Sequence, residues 1–171
     1  MGRFVTFVVI TALSGSVFAA NINQDTKEMG VSGMVDFDGT FGTEIDLSLK
    51  GGYFWIDYLE FGGEIGVVDN DAVKAWNAGV FSEYSFMLEW PVIPYIGAAL
   101  SFGAAEVEAI KQDETAAIGS FNTGIKYFVT DNVALDTDLV FSIASAEVFP
   151  EKDRAEDTDM RWRIGLRFFW D

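Results

Sequence analysis

Residues 161–171 read RWRIGLRFFWD. Trp162, Ile164, Leu166, Phe168 and Trp170 alternate with Arg161, Arg163, Gly165, Arg167 and Phe169. Successive side chains of a strand point to opposite faces, so this segment has one row of large apolar groups and one row dominated by arginine. The same alternation recurs along the chain, bounded each time by Gly, Asp, Asn or Pro. It appears in GVSGMVDFD from Gly30, TEIDLSLKGGYFW from Thr43, LEFGGEIGVV from Leu59 and WNAGVFSEYSFML from Trp76. It returns in IPYIGAALSFGA from Ile93, AIGSFNTGIKYF from Ala117 and VALDTDLVFSIA from Val133. With the last segment that makes eight strands.

The connections alternate too. Ile56-Asp57, Glu89-Trp90-Pro91 and Thr130-Asp131-Asn132 are tight, whereas the stretches from Asp69, Glu106 and Glu147 are longer and acidic. Short turns at one end and longer polar loops at the other is the layout of an up-and-down barrel in a membrane. A weak internal repeat runs through it. Gly52–Gly66 superposes on Lys126–Val140 at an offset of 74, pairing Tyr53 with Tyr127, Phe54 with Phe128, Asp57 with Asp131 and Glu64 with Asp138. An even offset preserves the inward and outward faces.

Composition narrows the class. The first residues, MGRFVTFVVITALSGSVFAA, carry one arginine, a short apolar run and small residues before Ala19. This pattern is expected to be a secretory signal over residues 1–19, with one domain from 20 to 171. The run is too short for a spanning helix. There is no cysteine and no histidine, which removes disulfides, Ser-His catalysis and the commonest zinc ligand. The net charge of −16 argues against nucleic acid as a partner. Half of the residues are hydrophobic and 15% are aromatic, which argues against disorder.

Alternation alone leaves open which face is inside, because a soluble barrel shows the same period. Three considerations point to lipid outside. The apolar face, with Trp55, Phe61, Trp76, Phe102, Phe121, Phe141 and Trp162 among others, is too bulky for an eight-stranded interior. Tyr53, Trp55, Tyr58, Trp90, Tyr127 and Trp170 fall beside short turns or the final strand's end, where a membrane-interface girdle would sit. The polar face carries Asp36, Asp46, Glu60, Glu64, Glu83, Asp136 and Asp138 against Lys50, Lys126, Arg161, Arg163 and Arg167. Inside a barrel these can pair as a lumen charge network, whereas an arginine facing lipid at the midplane costs roughly 2–4 kcal/mol.

GGYFWIDYLEFGGEIG, WPVIPYIGAALSFG and GIKYFVTDNVALDTDLVFSIAS, with the aromatic-ended last strand, resemble the small eight-stranded outer-membrane barrels, relatives of the OmpA membrane domain, OmpX and OmpW. The resemblance covers the chain from about Gly30 and implies an all-β, eight-stranded antiparallel up-and-down transmembrane β-barrel. It implies a bacterial outer-membrane location, reached by export through the cleaved signal. It also implies that the barrel-assembly machinery reads the C-terminal strand, although Asp171 follows the aromatic here. In contrast to full-length OmpA, no peptidoglycan-binding domain is expected after the barrel.

The role expected first is structural or interactive, with a largely plugged lumen and acidic loops that meet lipopolysaccharide or an extracellular ligand. A narrow cation-favouring channel or small-molecule porin is the alternative, and a soluble periplasmic ligand-binding barrel a further one. No enzyme activity, cofactor or metal site is expected; Asp69-Asn70-Asp71 lacks the spacing of a calcium loop.

Overall fold

The computed structural model describes residues 22–39, 42–69, 73–88, 92–107, 112–151 and 154–171. Residues 1–19 and Trp90 lie outside them, as does the side chain of Asp36. The barrel strands are β1 (Lys27–Gly39), β2 (Gly42–Ile56), β3 (Leu59–Asp69), β4 (Val73–Ser85), β5 (Val92–Val107), β6 (Gln112–Thr130), β7 (Val133–Ala144) and β10 (Thr158–Trp170). Each pairs antiparallel with its neighbours in sequence order, and β1 pairs with β10, so the sheet closes without an edge. Between β7 and β10 lies a separate two-stranded hairpin, β8 (Phe149–Glu151) with β9 (Arg154–Glu156).

The strands run further than the periodicity alone suggests. β5 reaches Val107 and β6 begins at Gln112, paired through Glu106↔Asp113 and Val107↔Gln112. Much of the expected acidic loop from Glu106 is therefore ladder. Polar residues there obscure the period, but backbone pairing continues once the register has been set lower down. At the other end, Asp57-Tyr58 and Asp131-Asn132 form two-residue connections. Tyr58 has φ 70°, unusual for a bulky side chain and enforced by the tightness of the turn. The internal repeat has a structural counterpart. The register slips at Phe54/Ile56 and again at Phe128/Thr130, the same offset of 74, and both phenylalanines point inward.

The outward face is apolar. Trp55, Trp76, Leu100, Phe102, Phe121 and Trp162 are all more than half exposed. Between Lys27 at the turn end and Asp69 and Lys74 at the loop end, the described outward positions carry no charged side chain. An uninterrupted apolar belt far exceeds the patches that water-soluble monomers present. Tyr53, Trp55 and Trp170 are exposed beside the short turns, with Tyr58 and Tyr127 half-buried at the same end. A second set, Trp76, Phe102 and Trp162, stands toward the loops. Two aromatic rings bracketing an apolar band match the two boundaries of a bilayer.

Replacing Leu139, midway along β7, by arginine is expected to cost roughly 2–4 kcal/mol in a bilayer. Refolding into lipid vesicles, followed by the heat-dependent mobility of the unboiled protein, checks this. Inward-facing Ser120→Ala loses only the Ser120 Oγ···Ser142 Oγ hydrogen bond of 2.9 Å and should insert normally. Equal insertion of the two variants would mean that the apolar belt does not face lipid.

Candidate functional site: the barrel interior

The inward face is built in layers, and they differ in chemistry. At the short-turn end Ile22, Phe54, Ile93, Phe128, Ala134 and Phe169 form an apolar cluster, none more than 4% exposed. Ile22 reaches it because the segment before β1 folds across the barrel mouth. Asp25 N–H donates to Phe54 O (2.9 Å), Phe54 N–H donates to Thr26 O (2.9 Å), and Gln24 N–H donates to Asp57 Oδ1 (2.9 Å). Tyr53 OH donates to Asp25 Oδ1 and fixes the same segment from outside. From the sequence, bulky apolar groups are expected on the outward face, as too large for an eight-stranded interior lined by charges. The aromatic plug at the turn end corrects that expectation, and its physical reason is the even offset that places both Phe54 and Phe128 inside.

Above the plug lies a buried charge layer. Arg167 is 2% exposed and grips three acidic side chains. Its Nη1 lies 2.5 Å from Glu28 Oε1 and 3.1 Å from Glu83 Oε1, and its Nε lies 3.2 Å from Asp136 Oδ2. Nη2 donates to Tyr95 OH (2.8 Å), and Tyr95 OH donates to Asp136 Oδ1 (2.8 Å). Lys126, fully buried, stands 2.6 Å from Glu83 Oε1 and 3.0 Å from Glu28 Oε2. Its ammonium also faces the rings of Phe54, Tyr95 and Phe169 at 5.8, 5.1 and 5.5 Å. Cation–π contact supplements the carboxylates where water is excluded.

Gly124 makes this layer possible. A Cβ there would come within 2.7 Å of the Tyr95 ring and 2.5 Å of Thr137 O. The Tyr95 side chain thus lies across a neighbouring strand that has no side chain to oppose it.

Toward the loops the interior opens into a cavity of about 110 Å³. Lys50, Glu64, Asn77, Asn122 and Arg163 line it, with Asp46 and Arg161 nearer the loop end. Arg163 holds Asp138 through two bonds of 3.0 and 2.6 Å, and Arg161 holds Asp46 (2.8 Å) and Asp159 (2.5 Å). Lys50 Nζ sits 5.1 Å from the Phe81 ring, across the ladder from Glu64. The far end narrows where Val148 and Phe149, beside the β8–β9 hairpin, pack on Ala105, Ala116, Ile118 and Ala144.

Of the charges named from the sequence, Glu83, Lys126, Asp136 and Arg167 meet in the buried layer, and Asp138 pairs with Arg163 above it. Asp46 and Arg161 form a separate pair near the loops, while Glu64 and Lys50 line the cavity. Glu60 is buried beside the layer with neither carboxylate oxygen bonded among the described residues. Glu28 and Tyr95 were missed as site residues. Glu28 precedes the first alternating segment and stands inside only because β1 begins at Lys27. Tyr95 could have been suspected from its inward parity, since a phenol inside a barrel needs a partner for its hydroxyl.

The geometry defines a class: a closed, eight-stranded, all-antiparallel barrel with an apolar exterior and a charged interior, the fold of the small outer-membrane barrels. Among solved structures, Neisserial surface protein A superposes with a TM-score of 0.60 at 22% identity, covering 84% of this chain and 94% of that one. The N-terminal β-barrel domain of Pseudomonas aeruginosa OprF gives 0.62 at 17% identity, over 86% and 98%. A major outer membrane protein from Thermus thermophilus gives 0.53 at 10% identity, over 86% and 100%. No protein-family profile matches the sequence, and the comparison with curated proteins finds no match.

Arg167→Ala would leave Glu28, Glu83 and Asp136 buried without the guanidinium that joins them, Lys126 contacting only the first two. Breaking a buried ion pair from one side typically costs about 3–5 kcal/mol. A loss of that size in reversible urea unfolding from lipid vesicles is expected, with Arg161→Ala, partly exposed near the loops, losing far less. Equal losses would show that the layer contributes no more than a rim pair.

Proposed function

We propose that the protein is an integral outer-membrane barrel with a structural or interaction role, sealed along its axis and presenting acidic loops outward. The observation that carries this reading is the stack of apolar plug and charge layer across the interior. Ile22, Phe54, Ile93, Phe128 and Phe169 fill the turn end, and Arg167 and Lys126 are locked to carboxylates above them. A solute would have to displace both. The outward apolar belt favours lipid over water as the surrounding medium and disfavours the soluble carrier. The names of two of the superposed structures, a surface protein and a major outer membrane protein, agree with that location.

In this reading residues 1–19 direct export and β10 presents its aromatic end to the barrel-assembly machinery. The acidic connections engage lipopolysaccharide through bridging divalent cations, or an extracellular ligand. The lack of histidine supports a non-catalytic role. A narrow cation-favouring channel is the second reading, supported by the cavity lined by Glu64 and Asp46.

Planar-bilayer recording of the refolded chain, with insertion demonstrated independently, separates these. Silence is expected from an inserted barrel. Discrete cation-favouring steps, altered by Arg163→Ala, would replace the sealed barrel with the channel.

A further inference from the structure

Among the described residues, Glu60 is the buried carboxylate that the ion pairs leave unexplained. It is 0% exposed, and neither Oε1 nor Oε2 has a hydrogen-bond partner among the described residues. An ionised carboxylate without a hydrogen-bond partner is costly to bury. It also stands directly across the β3–β4 ladder from Glu83, which is 1% exposed and points inward as well. Like charges directly opposite on one face repel. Glu28 completes the group. One oxygen from each of Glu28, Glu60 and Glu83 lies within 4.8 Å of the others.

The space for this cluster is built into the backbone. Gly52 pairs with Glu28 on one side and lies beside β3 on the other. A Cβ at Gly52 would fall 1.6 Å from Glu60 Oε1 and 2.5 Å from its carboxyl carbon. The Glu60 carboxyl therefore occupies the room that the missing side chain leaves, and faces Glu28 across it.

Charge counting shows what the layer lacks. Glu28, Glu60, Glu83 and Asp136 bring four negative charges against two positive ones from Lys126 and Arg167, so 2 − 4 = −2. Lys50 stands between this layer and the next, flanking Gly30 with Arg167, and counting Lys50 and Arg163 together with Glu64 and Asp138 leaves the sum at −2. All-oxygen ligands select hard cations. Around Ca²⁺, at ligand distances of about 2.3–2.6 Å, opposing oxygens stand about 4.6–5.2 Å apart, so three oxygens within 4.8 Å of one another can share one such ion.

We propose that Glu28, Glu60 and Glu83 form an internal site for a divalent cation of calcium's size. Glu60 is the ligand with both oxygens free, and Glu28 and Glu83 bridge the ion to Lys126 and Arg167. The ion balances the layer's two excess charges and fixes β1, β3 and β4 to one another near the turn end. Because the site is closed off from solvent, the ion enters as the barrel forms.

The test is to refold the chain in detergent micelles with CaCl₂ or with EDTA, desalt, and measure calcium per protein and the thermal midpoint. Folded protein is to be verified by the heat-dependent gel shift. The expected result is a retained stoichiometry near one Ca²⁺ per barrel and a midpoint higher than in EDTA. Glu60→Gln should abolish retention and make the midpoint insensitive to calcium. Gly52→Ala keeps every charge but displaces the flexible end of Glu60, and should also lose the ion. Glu147→Gln, in the exposed connection after β7, should leave retention intact. A folded wild-type barrel that holds no calcium and gains no stability from it overturns the proposal and implies that protons neutralise the cluster. Retention unchanged in both Glu60→Gln and Gly52→Ala overturns it equally, by placing the ion on the loops.

Discussion

Everything in this barrel depends on the pairing of its first strand with its last. Lys27 to Gly33 on β1 lie against Trp170 to Ile164 on β10, and this ladder turns an open sheet into a closed one. An open sheet would leave two rows of unpaired amide and carbonyl groups, which cannot be tolerated where no water reaches them. Closure also converts alternation along each strand into two separate environments. Once β1 and β10 are joined, every even step along a strand leads back to the same side, and each residue's medium follows from its parity within its strand.

Closure explains how a chain without disulfides can keep so many charges dry. Arg167 comes from β10, Glu28 from β1, Glu83 from β4 and Asp136 from β7, so one guanidinium ties strands that are far apart in sequence. Such a layer is weak evidence for stability, because removing these charges from water offsets much of what their attraction returns. Its value lies in specificity. A strand slipped by one residue would carry Arg167 outward into the apolar belt, and a slip of two would part it from its carboxylates.

The apolar plug and the charge layer also divide labour along the axis. The plug keeps water from the charges above it, so Lys126 gains from ring faces as well as carboxylates. The Val148–Phe149 cluster narrows the other end, leaving the cavity between two packed zones. The interior of the described residues is therefore packed more like a small polar core than a bore.

The sequence alone determined the eight strands, their order, and the face each side chain takes, because a period of two is local and survives any arrangement of neighbours. Its even-offset repeat has a counterpart in the matched register slips at Phe54 and Phe128, which only the structure shows. The partners inside were a different matter. Parity puts Glu60, Glu83, Lys126 and Arg167 on one face but says nothing of their heights, which depend on the stagger of strands around the barrel. Only the tertiary structure brought Glu28 into the layer, set Ile22 in the mouth, and left Glu60 alone beside Gly52. Pairing across a lumen joins residues up to 139 positions apart, and no local pattern encodes a distance of that kind.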